Sequence, residues 1–334
     1  MAENYWEDRR VLVTGGSGFI GSWLVKAFIE LGSNVFVFVR DLDPQSEFFR
    51  SGDYLNTSIV QGELEDFRAL KRAINEHEVE FVFHLGAQAI VGVAHRDPLQ
   101  TFESNIRGTY NLLEACLQCR HLITGVVVAS SDKAYGTKST LPYKENMALE
   151  GTYPYEVSKS AADLISSAYA STYQLPITIA RFGNVYGGGD LNWSRIIPDT
   201  IRSCLQGKPL IVRSDGTYVR DYIYVKDAVQ AFIRLAENVD RSEVMGEAFN
   251  FSPGKPVTVL AVVDQIRRLI GCELEPQILN STAGEIHSQY LDSSKAERVL
   301  GWRPAFSLEE GLSETITWYR EYLNKTLSLT SEER

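Results

Sequence analysis

A short apolar run followed at once by a glycine-rich turn constrains this chain more than any other feature. The run Val11–Thr14 leads directly into the sequence GGSGFIG at residues 15–21, and a helix-length segment follows. Gly15 permits a tight turn, Gly18 lets the backbone approach a ligand closely, and Gly21 lets the helix pack against the strand. The start of a helix also presents unpaired N–H groups and a partial positive charge. In this strand–turn–helix context the pattern predicts a site for the pyrophosphate of a dinucleotide.

The first 180 residues alternate short apolar runs with helix-length segments, which is typical of βαβ units and a parallel sheet. Two long helices are predicted at residues 98–117 and 154–173, the first from apolar positions three or four residues apart. After Arg181 the chain changes to Gly- and Pro-containing loops with shorter elements. We therefore expect an α/β protein, with a Rossmann-type doubly wound parallel sheet and a smaller C-terminal substrate lobe. The expected strands are Val11–Thr14, Val35–Val39, Ser58–Val60, Phe81–His84, Gly125–Ser130 and Ile177–Arg181.

Composition excludes several classes of partner. The 334 residues include 33 basic and 43 acidic residues, a net charge of −10. Nucleic-acid and anionic membrane surfaces both require clustered Lys and Arg, so neither partner is expected. No apolar run approaches the ~20 residues that span a membrane, and the sequence MAENYWEDRR at the start is too polar for a signal peptide. A cytoplasmic protein is expected.

The end of the second expected strand bears on which dinucleotide is bound. An acid about 20 residues after the glycines usually bonds the ribose 2′-hydroxyl. Here Val39 is followed by Arg40 and then by Asp41. Arg40 can hold a 2′-phosphate, Asp41 can bond the hydroxyl if the loop is shifted, and a solvated loop charge is the other interpretation of Arg40. The arginine narrowly favours the phosphorylated dinucleotide, NADP.

Tyr155 and Lys159 are four residues apart in the second long helix, so they lie on one face of it. An ammonium beside a phenol stabilises the phenolate and lowers a pKa that starts near ~10. The pair therefore suits proton removal from a hydroxyl while a hydride leaves the same carbon. The segment Ser130–Lys133 ends an expected strand, at the edge of a parallel sheet where ligands bind. A surface helix is the alternative for an isolated pair with this spacing.

Together these motifs resemble the extended short-chain dehydrogenase/reductases that act on nucleotide sugars, and the resemblance covers nearly the whole chain. It implies a Rossmann domain, a smaller nucleotide-sugar lobe, tightly bound NAD(P) and a homodimer formed through the two long helices, 98–117 and 154–173. The matching segments are TGGSGFIG (14–21), HLGAQ (84–88), NIRGT (105–109), SSDKAYG (130–136), YEVSK (155–159), RFGNVYGGGD (181–190), VRDYIYVKD (219–227) and LGWRP (300–304).

The resemblance also implies which residues bind the cofactor and the substrate. The cofactor residues are Gly15, Ser17, Gly18, Phe19, Ile20, Gly21, Arg40, Glu63, Leu64, Leu85, Ala87, Tyr155 and Lys159. The nucleotide-diphosphate hexose would be bound by Gln88, Asn184, Arg195, Arg220 and Glu285, with Arg220 on the phosphates. The family often has a second phosphate arginine just before Gly284, where this chain has Ser281, Thr282 and Ala283.

Residues 131–133 bear on the branch of the family. Asp132 follows the active-site Ser131, where 4,6-dehydratases have an acid that protonates the departing 6-hydroxyl and epimerases have neutral residues. Sugar 4,6-dehydratases commonly have a glutamate next as the base for the C5 proton, whereas this chain has Lys133. The Ser-Asp-Lys triplet resembles the CDP-glucose 4,6-dehydratase subgroup. Lys133 would act as the C5 base, hold Asp132 or stabilise the enolate.

The resemblance thus implies an NDP-hexose 4,6-dehydratase that makes a 4-keto-6-deoxy sugar by internal hydride transfer and loss of water. A nucleotide-sugar 4-epimerase and a GDP-mannose 4,6-dehydratase are the alternatives among enzymes. Asp132 argues against the first, and Lys133 in place of glutamate argues against the second. A dinucleotide-binding regulatory protein is the alternative outside enzymes, and the intact Ser131, Tyr155 and Lys159 argue against it.

The expected domains interleave, because residues 247–252 have the pattern of a strand that returns to the first sheet. Residues 1–183, with a returning segment 222–252, would form the NAD(P)-binding Rossmann domain. Residues 184–221 and 253–330 would form the nucleotide-sugar lobe, with the cleft between the two lobes.

The cysteines and histidines do not have the spacing of a metal site. Cys116 and Cys119 form a single CxxC on the first long helix, without a second pair, so they are interpreted as structural thiols. Four cysteines are also too few for a disulfide scaffold in a chain of this size. His84 closes an expected strand and would line the dinucleotide cleft without titrating in catalysis. No metal is expected.

Overall fold

A seven-stranded parallel sheet organises the first part of the chain, in the order β11-β6-β5-β4-β1-β2-β3. The computed structural model describes residues 4–281 and 286–332, the last seven of them as backbone only. The strands of this sheet are β1 (Arg10–Thr14), β2 (Asn34–Val39), β3 (Ser58–Gln61), β4 (Phe81–His84), β5 (Gly125–Ser131), β6 (Ile177–Phe182) and β11 (Ala248–Phe251). Each neighbouring pair is parallel, which confirms the expected Rossmann-type α/β fold.

Helices connect the parallel strands, as crossover connections require. In the third of them, the Asp66 side chain accepts hydrogen bonds from the backbone N–H groups of Arg68 and Ala69, at 2.9 and 3.1 Å, and so caps the helix. The helices of this part are α1 (Phe19–Glu30), α2 (Glu47–Arg50), α3 (Phe67–Glu76), α4 (Val91–Arg96), α5 (Pro98–Phe102), α6 (Gly108–Gln118) and α7 (Pro154–Tyr173). Short 3₁₀ turns lie at Asp53–Asn56 and Asp132–Tyr135.

The core lies on both faces of the sheet. All four residues of β4 and the last four residues of β1 are buried. Strands buried on both faces are continuous apolar runs without alternation, as the sequence of β5, GVVVASS, also shows. Trp6 packs edge-on against Phe28 and Phe81, with ring centroids 4.8 and 4.9 Å apart. This aromatic cluster closes the end of the sheet where the strands begin.

The first long helix differs from its sequence prediction. The apolar spacing predicts one regular helix over residues 98–117, but a wider π turn at Glu103–Arg107 separates α5 from α6. Asn105 within this turn is buried, and its side chain bonds groups outside the helix. Such turns insert a residue into the helical hydrogen-bond ladder and often occur at functional sites. The predicted helix 154–173 is confirmed at both ends by α7.

The chain forms two compact units. The first comprises the chain up to Phe182 together with Ala228–Phe251 and Leu291–Arg303. The second comprises Gly183–Asp227, Ser252–Tyr290 and the chain from Pro304 onward. The smaller C-terminal lobe that the sequence predicts is therefore present, and it is made from three segments.

These bounds differ from the expected division in two places. Residues 222–227 belong to the second unit, because β10 (Tyr222–Tyr224) pairs with β7 (Asn184–Tyr186) there. Residues 291–303 belong to the first unit. Lys295 in that segment donates a hydrogen bond from Nζ to the backbone oxygen of Ala248 in β11, at 2.9 Å. Pairing between distant segments sets both boundaries, and local sequence does not reveal it.

The second unit has small sheets and, among its described residues, three helices that lie wholly within it, Ile196–Gln206, Val259–Ile270 and Leu308–Glu332. Its C-terminal helix begins with a capping box: Ser307 Oγ accepts from the Glu310 N–H at 3.2 Å, and the Glu310 carboxylate accepts from the Ser307 N–H at 2.8 Å. The remaining strands are β8 (Leu210–Val212), β9 (Val219–Arg220), β12 (Val257–Thr258), β13 (Pro276–Ile278) and β14 (Ser288–Gln289). The remaining helices of the chain are α8 (Ile196–Gln206), α9 (Val225–Glu237), α10 (Val259–Ile270), α11 (Ser294–Leu300) and α12 (Leu308–Glu332). Nowhere in the described chain is there a helix with both the length and the apolar content for a membrane span.

A buried ion pair ties α7 to the sheet. Arg181 at the end of β6 donates from Nε and Nη2 to the two carboxylate oxygens of Asp163, both at 2.8 Å. Its Nη1 donates to the hydroxyl of Tyr135, which donates in turn to Asn250 in β11 at 2.7 Å. The two charged side chains are only 6% and 2% exposed, so each requires the other.

Breaking this buried pair should lower the free energy of unfolding far more than breaking a surface ion pair. Asp163→Asn leaves the buried Arg181 without its counter-charge, so we expect the free energy of unfolding to fall by about 3–5 kcal/mol. Glu297→Gln is the control, because it removes the partner of Arg303 in an exposed ion pair of the same unit. The side chains of Arg303 and Glu297 are 75% and 51% exposed, so we expect the free energy of unfolding to change by less than about 1 kcal/mol. Urea unfolding of both variants measures the difference, and equal losses would contradict this assignment.

Candidate active site

The turn between β1 and α1 is shaped for a ligand that approaches backbone. Gly15 has a φ of +69°, which favours glycine. A Cβ on Gly21 would lie 2.1 Å from the Gly15 carbonyl oxygen, so no larger residue fits there. Helix α1 begins with Gly18 as its N-cap and no side-chain cap, which leaves the first-turn N–H groups for an outside acceptor. The turn therefore fits the pyrophosphate of a dinucleotide.

Three buried side chains hold the end of β4 against this turn. The hydroxyl of Thr14 lies 2.8 Å from His84 Nδ1 and accepts from the Gly86 N–H at 3.1 Å. On the other side of the ring, His84 Nε2 lies 3.0 Å from the Thr109 hydroxyl, which itself donates to the Asn105 backbone oxygen at 2.6 Å. Because Thr109 uses its proton on that carbonyl, the network assigns the Nε2–H tautomer to a neutral His84.

The neutral state of His84 follows from its environment. Burial, and secondarily the charge of Lys159, lower the pKa of His84 from 6.5 to about 3. The imidazole therefore joins strand to helix as a neutral group and does not titrate near neutral pH. It lies in the dinucleotide half of the fold, next to the glycine turn.

The remaining expected cofactor residues lie around this edge of the sheet. Ser17, Phe19 and Ile20 in the glycine turn are partly exposed. After β3, Glu63 is exposed, and the backbone oxygen of Leu64 accepts a hydrogen bond from the Asn111 side chain at 3.1 Å.

Leu85 and Ala87, after β4, are half-buried. The Leu85 N–H donates to the Thr14 backbone oxygen at 3.2 Å, which keeps this loop beside the glycine turn. Arg40, at the end of β2, donates from Nε to Asp41 Oδ2 at 2.7 Å, and both side chains are exposed. The two residues that compete for the ribose in the sequence interpretation therefore form an ion pair.

The segment Ser131–Lys133 lies at the carboxyl end of β5. The Ser131 hydroxyl donates to Asp132 Oδ1 at 3.0 Å and accepts from the Lys133 N–H at 3.2 Å. Ser131 and Asp132 are buried, and Lys133 is half-buried. A 3₁₀ turn begins at Asp132, so the chain leaves the sheet directly after the serine. The structure thus brings a hydroxyl and a carboxyl group into contact at the ligand-binding edge of the sheet.

Helix α7 carries Tyr155 and Lys159, and it brings Lys159 to the same strand. Lys159 is buried, and its Nζ donates to the backbone oxygen of Ala129 in β5 at 2.9 Å. Burial lowers the pKa of Lys159 from 10.5 to about 8, against the opposing effect of Asp163. The ammonium form therefore persists at neutral pH and can stabilise a phenolate on Tyr155 one helical turn away.

Asn105 links three of the expected site segments. Its Oδ1 accepts from the Gln88 N–H at 2.7 Å, and its Nδ2 donates to the Gln88 backbone oxygen at 3.1 Å. The same Nδ2 donates to the hydroxyl of Ser158 in α7 at 2.9 Å. The loop after β4, the π turn and α7 are therefore fixed to one another. Asn105 is a positioning residue that the sequence interpretation did not single out.

The expected substrate residues of the second unit are more dispersed. Arg220 is buried, and its Nη1 donates to the backbone oxygens of Val219 and His287, both at 2.9 Å. Arg195 is the N-cap of α8 and pairs with Asp190 at 2.9 Å. Asn184 is exposed at the start of β7. Glu285 lies outside the described residues.

The cysteines of the CxxC sequence lie at the opposite end of α6 from Thr109. Cys116 and Cys119 are buried at the end of α6, and burial raises the pKa of both thiols. Within residues 4–281 and 286–332, no group of three or more His, Cys, Asp or Glu side chains is arranged to hold a metal ion.

The sheet, the glycine turn and the Tyr155–Lys159 pair define a short-chain dehydrogenase/reductase fold with a second, smaller lobe. Residues 11–251 match the model of the NAD dependent epimerase/dehydratase family. The chain belongs to this family, as the motifs predict.

Both epimerases and dehydratases are similar to this chain along nearly all of its length. CDP-glucose 4,6-dehydratase of Salmonella typhimurium is 32% identical over 338 residues, which cover 96% of this chain and 93% of the relative. The structure of UDP-glucose 4-epimerase from Thermotoga maritima with UDP-glucose has a TM-score of 0.86 at 31% identity, and covers 94% and 99% of the two chains. That of dTDP-glucose 4,6-dehydratase from Bacillus anthracis in complex with NAD has a TM-score of 0.81 at 29% identity, and covers 94% and 97%.

Several residues that hold the site were not identified from the sequence. Thr14, Asn105 and Thr109 all lie inside motifs that carry the family resemblance, and the spacing of the last two, at i and i+4, places them on one helix face. Asp163 continues the face of Tyr155 and Lys159 by one more turn. Helical spacing could therefore have indicated these residues, although it does not name their partners on other elements.

The neutral, buried His84 should make stability depend on pH. Its pKa is about 3 in the folded chain and about 6.5 when unfolded, so below pH ~6.5 the unfolded state binds more protons and stability falls. Between about pH 7.5 and 5.5 this group alone should lower the free energy of unfolding by about 1.4 kcal/mol. Urea unfolding of the parent and of His84→Gln at both pH values measures it.

His84→Gln should lack the part of the pH dependence of unfolding that His84 causes. His121→Gln, at an exposed histidine of the same unit, should leave it unchanged. The same pH dependence in His84→Gln as in the parent would show that His84 has the same pKa in the folded and unfolded chain.

Proposed function

We propose that this chain is an NDP-hexose 4,6-dehydratase that converts a nucleotide hexose of the CDP-glucose kind to its 4-keto-6-deoxy form. The observation that carries the proposal is the contact between the Ser131 hydroxyl and the buried Asp132 carboxyl group at the end of β5. A dehydratase needs a proton donor for the departing 6-hydroxyl, beside the groups that oxidise C4. An epimerase has no use for that donor. The similarity to CDP-glucose 4,6-dehydratase of Salmonella typhimurium supports the same activity.

The first step is removal of the proton from the sugar 4-hydroxyl. Tyr155 accepts this proton at its phenolate oxygen, and the Ser131 hydroxyl orients the same sugar oxygen. Lys159 stabilises the phenolate, because its ammonium is held in place by the Ala129 carbonyl and retains its charge at neutral pH. Burial of this group strengthens its electrostatic effect.

The second step is loss of water across C5 and C6. The 4-ketone acidifies the C5 proton, and Asp132 donates a proton to the 6-hydroxyl as it leaves. Lys133 follows Asp132 in the chain and is half-buried. We propose that Lys133 acts at C5, either as the base that takes the C5 proton or as a cation that stabilises the enolate.

The bound cofactor is proposed to be NAD(P). When bound, it accepts a hydride from C4 of the sugar and supplies one to C6. Gly15, Ser17 and Gly18 would hold its pyrophosphate, with the first-turn N–H groups of Phe19, Ile20 and Gly21. Similarity to a dehydratase structure in complex with NAD supports this cofactor class. Glu63, Leu64, Leu85 and Ala87 would line its adenine and ribose side.

Arg40 and Asp41 support opposite forms of the cofactor. Arg40 favours NADP through a 2′-phosphate, and Asp41 favours NAD through the 2′-hydroxyl. Their ion pair is exposed at 61% and 69%, so either side chain can turn to a bound ribose. We retain the narrow preference for NADP as a proposal. The mass of the cofactor released from denatured protein tests it.

The second unit is proposed as the nucleotide-sugar lobe. Arg220 is buried and fixed by two carbonyl groups, which suits a preorganised phosphate contact. Arg195 and Asn184 would contact the sugar–nucleotide, with Gln88 from the first unit and Glu285. Similarity to an epimerase structure that contains UDP-glucose supports a nucleotide-sugar substrate.

Removing the Asp132 carboxyl group should slow dehydration strongly and leave the fold intact. We expect Asp132→Asn to lower the rate of water loss from CDP-glucose by about 10²–10⁴-fold, the usual contribution of a positioned acid. Mass spectrometry detects the product, which is lighter than the substrate by one water. Incubation with GDP-mannose, UDP-GlcNAc and dTDP-glucose defines the preferred substrate.

Asp240→Asn, at an exposed carboxylate of the same unit, serves as the matched control and should retain the parent rate. Dehydration by Asp132→Asn at the parent rate would remove this residue from the mechanism. Isomerisation by the parent enzyme at unchanged mass would support the 4-epimerase alternative.

A homodimer through α5–α6 and α7 is the proposed assembly. These helices expose Leu99, Tyr110, Leu164 and Tyr173, by 71%, 40%, 59% and 47%. Large apolar side chains on neighbouring helices of one unit suit burial against a second copy.

Charge introduced on these helices should therefore dissociate the dimer. We expect Leu164→Glu to sediment as a monomer where the parent sediments as a dimer. Leu55→Glu, at a residue that is 74% exposed elsewhere in the unit, should sediment like the parent. Identical sedimentation of the parent and Leu164→Glu would contradict this interface.

A further inference from the structure

Two of the four cysteines meet in the second unit. Cys204 lies in the last turn of α8, and Cys272 follows the end of α10. Both are free thiols and both are partly exposed. The Cys272 side chain is close enough to Cys204 to act on the Cys204 thiol. Neither residue belongs to a motif that carries the proposed activity.

The fold brings the two thiols together through the end of α10. Helices α8 and α10 pack against each other through apolar faces that include Ile201 and Val263. Gly271 then adopts a left-handed φ of +77°, and the N–H groups of Gly271 and Cys272 both donate to the Arg267 backbone oxygen at 2.9 Å. The strands that follow the two helices, β8 and β13, pair in parallel with Leu210 beside Pro276, so the chain leaves the ends of α8 and α10 toward the same small sheet. The thiol contact is therefore set by well-defined backbone hydrogen bonds.

Solvent and small reagents can reach Cys272. Cys272, Arg267 and Arg268 line an open surface cavity of about 730 Å³. In contrast, Cys116 and Cys119 in the first unit are 0% and 2% exposed. The chain thus contains one accessible pair of thiols and one protected pair. The protected pair is an internal control for any thiol reagent.

The two accessible thiols have different roles in a reaction. Burial, followed by the interaction with Cys272, raises the pKa of Cys204 to about 12, and Arg267 opposes this shift only in part. Cys204 therefore retains its proton at neutral pH. Since the thiolate is the nucleophile in disulfide exchange, Cys272 at the cavity reacts first.

We propose that Cys204 and Cys272 are a reversible redox site, which small-molecule disulfides such as glutathione disulfide oxidise to an intramolecular disulfide. The Cys272 thiolate attacks one sulfur of the small disulfide, forms a mixed disulfide and releases a first thiolate. Cys204 then loses its proton to solvent, and its sulfur attacks Cys272 Sγ and expels the second thiolate. The two protein thiols lose two electrons, and the small disulfide is reduced to two thiols. The resulting bond joins α8 to the end of α10.

Differential alkylation of the full-length protein tests this site. The protein is incubated with glutathione disulfide, denatured and alkylated, and then analysed by intact mass and by peptide mapping. We expect two of the four cysteines to escape alkylation, a mass lower than that of the reduced and fully alkylated protein by two alkyl groups, and one cross-linked peptide pair that contains Cys204 and Cys272. Dithiothreitol should restore four alkylated cysteines. The oxidised protein should also melt at a higher temperature than the reduced one, because the cross-link restricts the unfolded chain.

Two variants separate the steps. Cys204→Ser removes the resolving thiol, so the reaction should stop at one glutathione adduct on Cys272. Cys116→Ala alters the protected pair and should leave the cross-link unchanged. Four alkylated cysteines after oxidation would overturn the proposal. A stable adduct on Cys272 in the parent, or a disulfide that involves Cys116 or Cys119, would overturn it equally. None of these outcomes depends on the proposed dehydratase activity.

Discussion

The burial of Lys159 against β5 is the contact on which the site depends. Its ammonium group donates to the Ala129 carbonyl at 2.9 Å, and the cost of burying this charge lowers its pKa to about 8. This bond joins α7 to the strand at Lys159. Tyr155 lies one turn before Lys159 on the helix, and Ser131 follows Ala129 by two residues on the strand. The groups that we propose to react therefore all lie close in sequence to one helix–strand contact.

Other buried polar groups fix this contact from both sides. The bidentate pair of Arg181 and Asp163 anchors α7 one turn after Lys159. Asn105 anchors its first turn through the Ser158 hydroxyl. Each of these groups would be costly to bury without its partner, so the strands and helices that supply the partners have only one favourable arrangement. The polar network thereby gives the site the rigidity that positioned acid–base chemistry requires.

Local signals in the sequence predict much of this protein, and long-range pairing limits the rest. The glycine turn, the parallel strands and both ends of α7 follow from spacing and residue type alone, as do the Tyr155 and Lys159 positions. The π turn at Glu103–Arg107 does not, because the side chain of Asn105 bonds groups that are distant in sequence. The return of residues 291–303 to the first unit cannot be predicted from local sequence either, because it depends on contacts with β11. Sequence indicates reactive groups better than the groups that position them.

The central claim is that one site oxidises C4, removes water and reduces C6 of the same sugar molecule. Turnover of CDP-glucose deuterated at C4, followed by NMR and mass spectrometry, tests this most directly. The account predicts a 4-keto-6-deoxy product with the deuterium at C6 and no exchange of label between substrate molecules. Deuterium retained at C4 of an isomerised sugar, or lost to solvent during formation of the product, would contradict it.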